Sequence, residues 1–118
     1  AGDAPVTALR VPGCALHRMK SFRDMRGALT PIEYAKDLPF VPQRIFYVYD
    51  VPNERVRGEH SHKACAQFLM AVSGALSVVV DDGQVADEVR LDRPDLGLLI
   101  PPGVWGVQYK FQPGTVLA

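Results

Sequence analysis

Two histidines separated by one residue, His60 and His62, are the part of this chain best equipped for chemistry. Side chains alternate along a strand with period two, so this pair projects from one face. Neighbouring imidazoles can hold a metal ion, or act as acid, base and hydrogen-bond donor toward one substrate. The surrounding stretch is Arg57-Gly58-Glu59-His60-Ser61-His62, with Gln67 and Gly74 following. A lone histidine in such a place is usually a strand residue whose hydrogen bonds are met. A pair flanked by Arg57 and preceded by an aromatic run points instead to a catalytic or ligand-binding role.

The elements that must position these residues read as strands. Cys14 to Phe22 extends as one strand, Asp24-Met25-Arg26-Gly27 turns it, and Ala28 to Tyr34 returns. Arg44 to Val51 (RIFYVYDV) is dense in β-branched and aromatic residues suited to a half-buried pleated surface. Gln67 to Ser73 and Ala75 to Val80, parted by Gly74, read as a pair of strands, and Asp81-Asp82-Gly83 as a hairpin turn. Val85 to Leu91, Leu98 to Ile100, Val104 to Phe111 and Thr115 to Leu117 complete the series. No stretch keeps a helical period over three turns, and ten glycines and ten prolines punctuate the short apolar runs. The expected fold is all-β, a sandwich or barrel of antiparallel strands.

A length of 118 residues suits one domain with a real core, preceded by a loose arm over Ala1–Pro12. The composition is 47% apolar and 22% charged, an ordinary globular balance. Thirteen basic residues against thirteen acidic leave no excess to attract nucleic acid or an anionic membrane. No apolar run is long enough to span a bilayer, and no signal-peptide pattern opens the chain. Cys14 and Cys65 lack metal-type spacing and read as reduced buried thiols, in keeping with a cytoplasmic protein. The chain opens at Ala1 without Met, as an excised domain or module of a longer protein would. His17 has no partner nearby and reads as a packing or solvent-facing residue.

The spacing of His60, His62, Gln67 and Gly74 resembles the first motif of the cupins, whose fold is a jelly-roll barrel of antiparallel strands. In that motif a glutamate stands at the position of Gln67. The second cupin motif is matched by Pro101-Pro102-Gly103-Val104-Trp105-Gly106, with Gly106 where a third histidine belongs. Of the four metal ligands this resemblance implies, only His60 and His62 remain. Two imidazoles alone rarely hold a divalent ion against water, so no metal is expected.

A narrower resemblance rests on six fragments in order: Asp24-Met25-Arg26-Gly27, Arg44-Ile45-Phe46-Tyr47, Arg57 to Lys63, Asp81-Asp82-Gly83, Leu91-Asp92-Arg93-Pro94 and Pro101 to Trp105. Together they are similar to the dTDP-sugar 3,4-ketoisomerases, over the chain from about Met19 onward. That implies a metal-free, cofactor-free isomerase of deoxyamino-sugar biosynthesis, for a lipopolysaccharide or S-layer glycan. Its substrate would be a dTDP-linked 4-keto-6-deoxy sugar. By the same resemblance His60 is the first choice for the base and His62 for the partner that polarises or protonates oxygens, the two roles being exchangeable, with Tyr47 or Arg57 a donor to the enolate. Arg26, Arg44 and Arg57 would hold the pyrophosphate, with Arg44 equally readable as a solvated surface residue. Gln67 and Trp105 complete the substrate contacts, although an indole at Trp105 reads equally as barrel core. The family also implies a homodimer with exchanged N-terminal strands, which Cys14 to Phe22 would supply. Two alternatives stand beside this reading: a 3,5-epimerase-like cupin, which pairs one histidine with Asp and Tyr, and a sugar- or nucleotide-binding cupin with a disabled site.

Overall fold

A computed structural model of the chain describes residues 6–32, 42, 44–46, 48, 49, 57–61 and 66–117, with the backbone alone over 57–61. Among them every regular element is a strand. The strands are β1 (Val6–Ala8), β2 (Ala15–Arg18), β3 (Phe22–Asp24), β4 (Gly27–Leu29), β5 (Arg57–Ser61), β6 (Gln67–Ser73), β7 (Leu76–Asp81), β8 (Ala86–Leu91), β9 (Leu96–Ile100), β10 (Trp105–Tyr109) and β11 (Val116–Leu117). They form a five-stranded sheet ordered β1-β2-β9-β6-β11, a four-stranded sheet ordered β5-β10-β7-β8, and a separate β3-β4 hairpin. All pairings are antiparallel. The expected all-β jelly-roll arrangement is present, with the two sheets facing each other across a core rather than hydrogen-bonded into a closed barrel.

Alternation along each strand builds that core. Leu69 and Ala71 of β6, Leu98 and Ile100 of β9 and Leu117 of β11 meet Leu76, Val78 and Val80 of β7 and Leu91 of β8. Each fully buried Leu or Val contributes roughly 1.5–3 kcal/mol relative to exposure, so this contact clamps the sheets together. The β7–β8 hairpin turns where expected, with Asp82 Oδ1 accepting from the amides of Gln84 and Val85 at 2.9 and 2.8 Å.

The expected pairing of Gln67–Ser73 with Ala75–Val80 is not what forms. β6 and β7 belong to opposite sheets, and Gly74 is the corner between them, at φ 75°. A Cβ there would collide with Thr115 Oγ1 and lie 2.8 Å from Thr115 Cα. Thr115 is buried and locks this corner. Its Oγ1 accepts from Ala75 N at 3.2 Å and lies 3.0 and 2.6 Å from the carbonyls of Ala75 and Gln112, one of which takes its proton.

Other expectations change in detail. Within the arm expected to be loose, Val6–Ala8 pair with β2 and Val11 is fully buried. The single strand expected over Cys14–Phe22 divides into β2 and the start of the β3-β4 hairpin. Of the expected Arg44–Val51 strand, the described residues make one bridge, Val48 to Leu117, with Tyr47, Asp50 and Val51 outside the described residues. His17 packs edge-on against Phe68 on the outer side of the five-stranded sheet, ring centroids 5.4 Å apart, and its Nε2 is buried without a partner. Desolvation there pushes its pKa below the usual histidine value. No helix of the described residues is long and apolar enough to cross a membrane.

Replacing Thr115 by the isosteric valine leaves Ala75 N without its acceptor in a buried corner. The expected loss is about 1–3 kcal/mol, read as a lower urea midpoint at unchanged m-value. An unchanged midpoint would show that the corner holds without this hydroxyl.

Candidate active site

The site is built on β5 and its neighbour β10. The register pairs Trp105 with Ser61, Gly106 with His60 and Gln108 with Arg57. One residue of β10, Val107, therefore stands against two of β5, Gly58 and Glu59, which is a β-bulge. On a regular strand residues three apart fall on opposite faces. The bulge re-phases β5, so Arg57 and His60 both come opposite buried positions of β10. A glycine inside a strand is a common mark of such a bulge, and Gly58 stands there.

Gly106 and Gln108 face inward, Gln108 being only 7% exposed. A Cβ built on Gly106 would lie 3.4 Å from Ile100 Cδ1, on the facing sheet. Ile100 in turn pairs with Gln67 at the head of β6. Gln67 shares the face of Leu69 and Ala71, which point to the core. Gly106 thus faces Ile100, with Gln67 beside it, across the space between the sheets, and Gln108 follows on the same inner face of β10, opposite the register positions of His60 and Arg57. Apolar packing gives way to amides there.

The remaining expected residues lie elsewhere or outside the described set. Trp105 alternates with Gly106 and sits on the outer side of β10, 48% exposed, level with Asp81 and Ser61. Arg26 occupies the β3-β4 turn and pairs with Asp24 at 2.7 Å. The Arg26 side-chain hydrogen bond holds the Asp24 carboxyl below its ordinary range, and the same bond raises the guanidinium. Arg44 is exposed. His62 and Tyr47 lie outside the described residues, as does Cys65. Gln108 was not singled out from sequence. The alternation of WGVQY, with its outward aromatic residues, was the signal that could have placed it inward.

The sequence pattern of the family described as "FdtA: WxcM-like, C-terminal" matches residues 12–118. The chain belongs to that family. It is 38% identical over 98 residues, covering 83% of this chain and 70% of the other, to the TDP-4-oxo-6-deoxy-alpha-D-glucose-3,4-oxoisomerase of Aneurinibacillus thermoaerophilus. Its fold matches the 3,4-ketoisomerase QdtA of Thermoanaerobacterium thermosaccharolyticum, solved as a histidine-to-asparagine variant in complex with TDP-4-keto-6-deoxyglucose. The TM-score is 0.88 at 34% identity, covering 91% of this chain and 78% of that one. The TDP-quinovose 3,4-ketoisomerase WlaRB of Campylobacter jejuni matches with a TM-score of 0.86 at 33% identity, covering 91% and 82%. As a member of this family the chain is an isomerase of the 3,4-ketoisomerase type.

Cupin folds imply a metal, and the residues of this member do not fit one. Gln67 offers a neutral amide where a carboxylate would be needed, and Gly106 offers no donor on the inner face. Hard and borderline divalent ions need more anionic or imidazole donors than this set supplies. Metal analysis after chelation and dialysis is expected to return far less than one iron, zinc or manganese per chain. Stoichiometric retention of any of the three would overturn this reading.

Proposed function

We propose that the chain converts dTDP-4-keto-6-deoxyglucose into its 3-keto isomer by proton transfer through an enediolate, with His60 as the base. The observation that carries this is the bulged register, which sets His60 and Arg57 opposite Gly106 and Gln108, two buried positions of β10. In the reaction the base removes the proton from C3. The C–H electrons form the C3–C4 double bond, and the C4 carbonyl becomes an enolate oxygen. O4 takes up a proton to become a hydroxyl, the O3 proton leaves as the C3 carbonyl forms, and C4 takes up a proton. Hydrogens and electrons balance within the sugar, so no external oxidant is needed.

A neutral imidazole with a pKa near 6.5 both accepts and returns a proton at neutral pH. In this scheme His62 exchanges protons with the oxygens and Tyr47 donates to the enolate. Arg57, joined by Arg26 and Arg44, holds the pyrophosphate through its guanidinium fork. Gln67 hydrogen-bonds the sugar, and Trp105 packs on substrate reaching the outer rim of β10. A nucleotide-sugar substrate suits a cytoplasmic setting and a single catalytic domain.

A homodimer is part of the same proposal. The outer face of the five-stranded sheet carries Val6, Phe68, Met70, Val72 and Leu99, with Val6 and Val72 both 51% exposed. The β3-β4 hairpin adds exposed Phe22, Met25 and Leu29. A second copy would cover this apolar surface. Exchange would let β2, which here lies between β1 and β9, make the same ladder in the partner's sheet. Light scattering should give twice the chain mass, and a monomer mass for folded protein would count against it.

The chemical test is incubation with dTDP-4-keto-6-deoxyglucose in deuterium oxide, followed by NMR of the sugar. His60→Asn keeps a hydrogen-bond donor but cannot shuttle a proton. It should leave dTDP affinity intact while lowering turnover by about 10²–10⁴-fold or more. Arg57→Ala should weaken dTDP binding more than it slows saturated turnover. Near-normal exchange of the C3 proton in His60→Asn would move the base elsewhere.

A further inference from the structure

We infer that His17 makes the proposed homodimer sensitive to acid: a second copy covers the outer face of the five-stranded sheet while this ring is neutral, and leaves it once the ring is charged. The inference rests on the homodimer reading above and adds its regulation. His17 stands on β2, an inner strand of that sheet, bonded to β1 on one side and β9 on the other. Around it the alternation of the strands presents Val6, Ala15, Phe68, Met70 and Leu99. Such an uncharged face matches a second copy of itself better than it matches a charged partner.

Among the described residues, no strand packed beside the ring brings it a counter-charge. β1 sets Val6 opposite His17, and β9 sets Gly97 opposite it on the other side. From β6, next beyond β9, Met70 pairs with Gly97, and the Phe68 ring meets the imidazole at 73°. Gly97 is what admits that ring, since a Cβ there would collide with it. On β2 itself Leu16 and Arg18 alternate to the other side. Asp95 lies two residues before Gly97, but Arg93 engages its Oδ2 at 2.7 Å. The Asp95 Oδ1 and the His17 Nε2 are each buried without a partner, so the two do not bond to one another.

A neutral imidazole can leave Nε2 bare, with its proton on the other nitrogen. The imidazolium cannot: both nitrogens carry N–H, and Nε2 becomes a buried charged donor with no acceptor. Burial already lowers the pKa of this half-buried ring. A second copy removes its remaining water and lowers it further. Dimer stability from a neutral His17 is therefore complete above the ordinary histidine value of 6.5, and is lost as pH falls below it. A two-fold dimer holds two such rings. Its dissociation constant should rise by up to about 100-fold per pH unit in that interval, about tenfold for each ring.

Sedimentation equilibrium at about pH 7.5 and about pH 5.5, with circular dichroism at each, tests this on the full chain. The wild type should be a dimer at the higher pH, and its dissociation constant should be at least about tenfold weaker at the lower, with the strand signal unchanged. His17→Leu and His17→Phe fill the same space without titrating, and should stay dimeric at both. Val72→Asp, which places a charge at an exposed position of the same face, should be monomeric at both. A wild type equally tight at the two pH values overturns the inference and leaves the homodimer standing. Acid dissociation that persists in both His17 variants, or that comes only with loss of the strand signal, overturns it too. A Val72→Asp dimer as tight as the wild type puts the interface elsewhere, with the same result. A wild-type monomer at about pH 7.5 removes the homodimer reading and this inference together.

Discussion

The contact between the inner faces of the two sheets is the constraint on which everything else depends. Leu69, Leu98 and Leu117 on one side and Leu76, Val78, Val80 and Leu91 on the other are fully buried in a single cluster. An interior of this kind tolerates no unpaired polar group, because leaving one unsatisfied costs roughly 1–3 kcal/mol. Polar chemistry is therefore confined to the end where the apolar layer stops. Ile100 ends its strand paired with Gln67 and facing Gly106, and Gly106 and Gln108 border the cluster beside Val80 and Val78. The same clamp that stabilises the fold thus decides where a site can be.

Much of this was legible in the residues. Period-two alternation and the spacing of glycines and prolines marked β6 to β11 to within about two residues, since turn chemistry acts locally. Period-two reasoning placed His60 on a strand, as β5 does. What escaped was non-local. Gly74 was visible as a break, but a corner between sheets and a hairpin turn use the same residue type. Only Thr115, forty positions away, decides between them, by holding Ala75 from the far side. The bulge at Gly58 and Glu59 escaped likewise, because it exists only relative to β10. Trp105 shows the same limit: its outward face follows from the register, while its residue type suits either side.

His17 shows how surroundings, rather than residue type, mark a histidine for chemistry. It stands on a strand, half-buried, with an aromatic neighbour, much as a catalytic imidazole does. Its contacts, however, are Phe68 and the backbone around Gly97, and its Nε2 faces no donor or acceptor. Desolvation with nothing to compensate lowers its pKa, and a buried nitrogen with no partner has no group with which to exchange a proton. The position of His60 differs in company: an arginine brought level by the bulge, and amides across the gap.

Loss of the metal ligands also changes what the remaining residues must do. A divalent ion would stabilise an enolate by its own charge. With a neutral amide at Gln67 and no side chain at Gly106, the proposed reaction meets that charge with hydrogen-bond donors and guanidinium groups instead. Such donors act at short range and along defined directions, so they need the sugar held close and in one orientation. In the proposed reaction, the bulge that leaves His60 in register with Gly106 and Arg57 in register with Gln108 serves that single requirement. On this argument the irregularities of β5 and β10 follow from replacing a metal's diffuse charge with directional contacts.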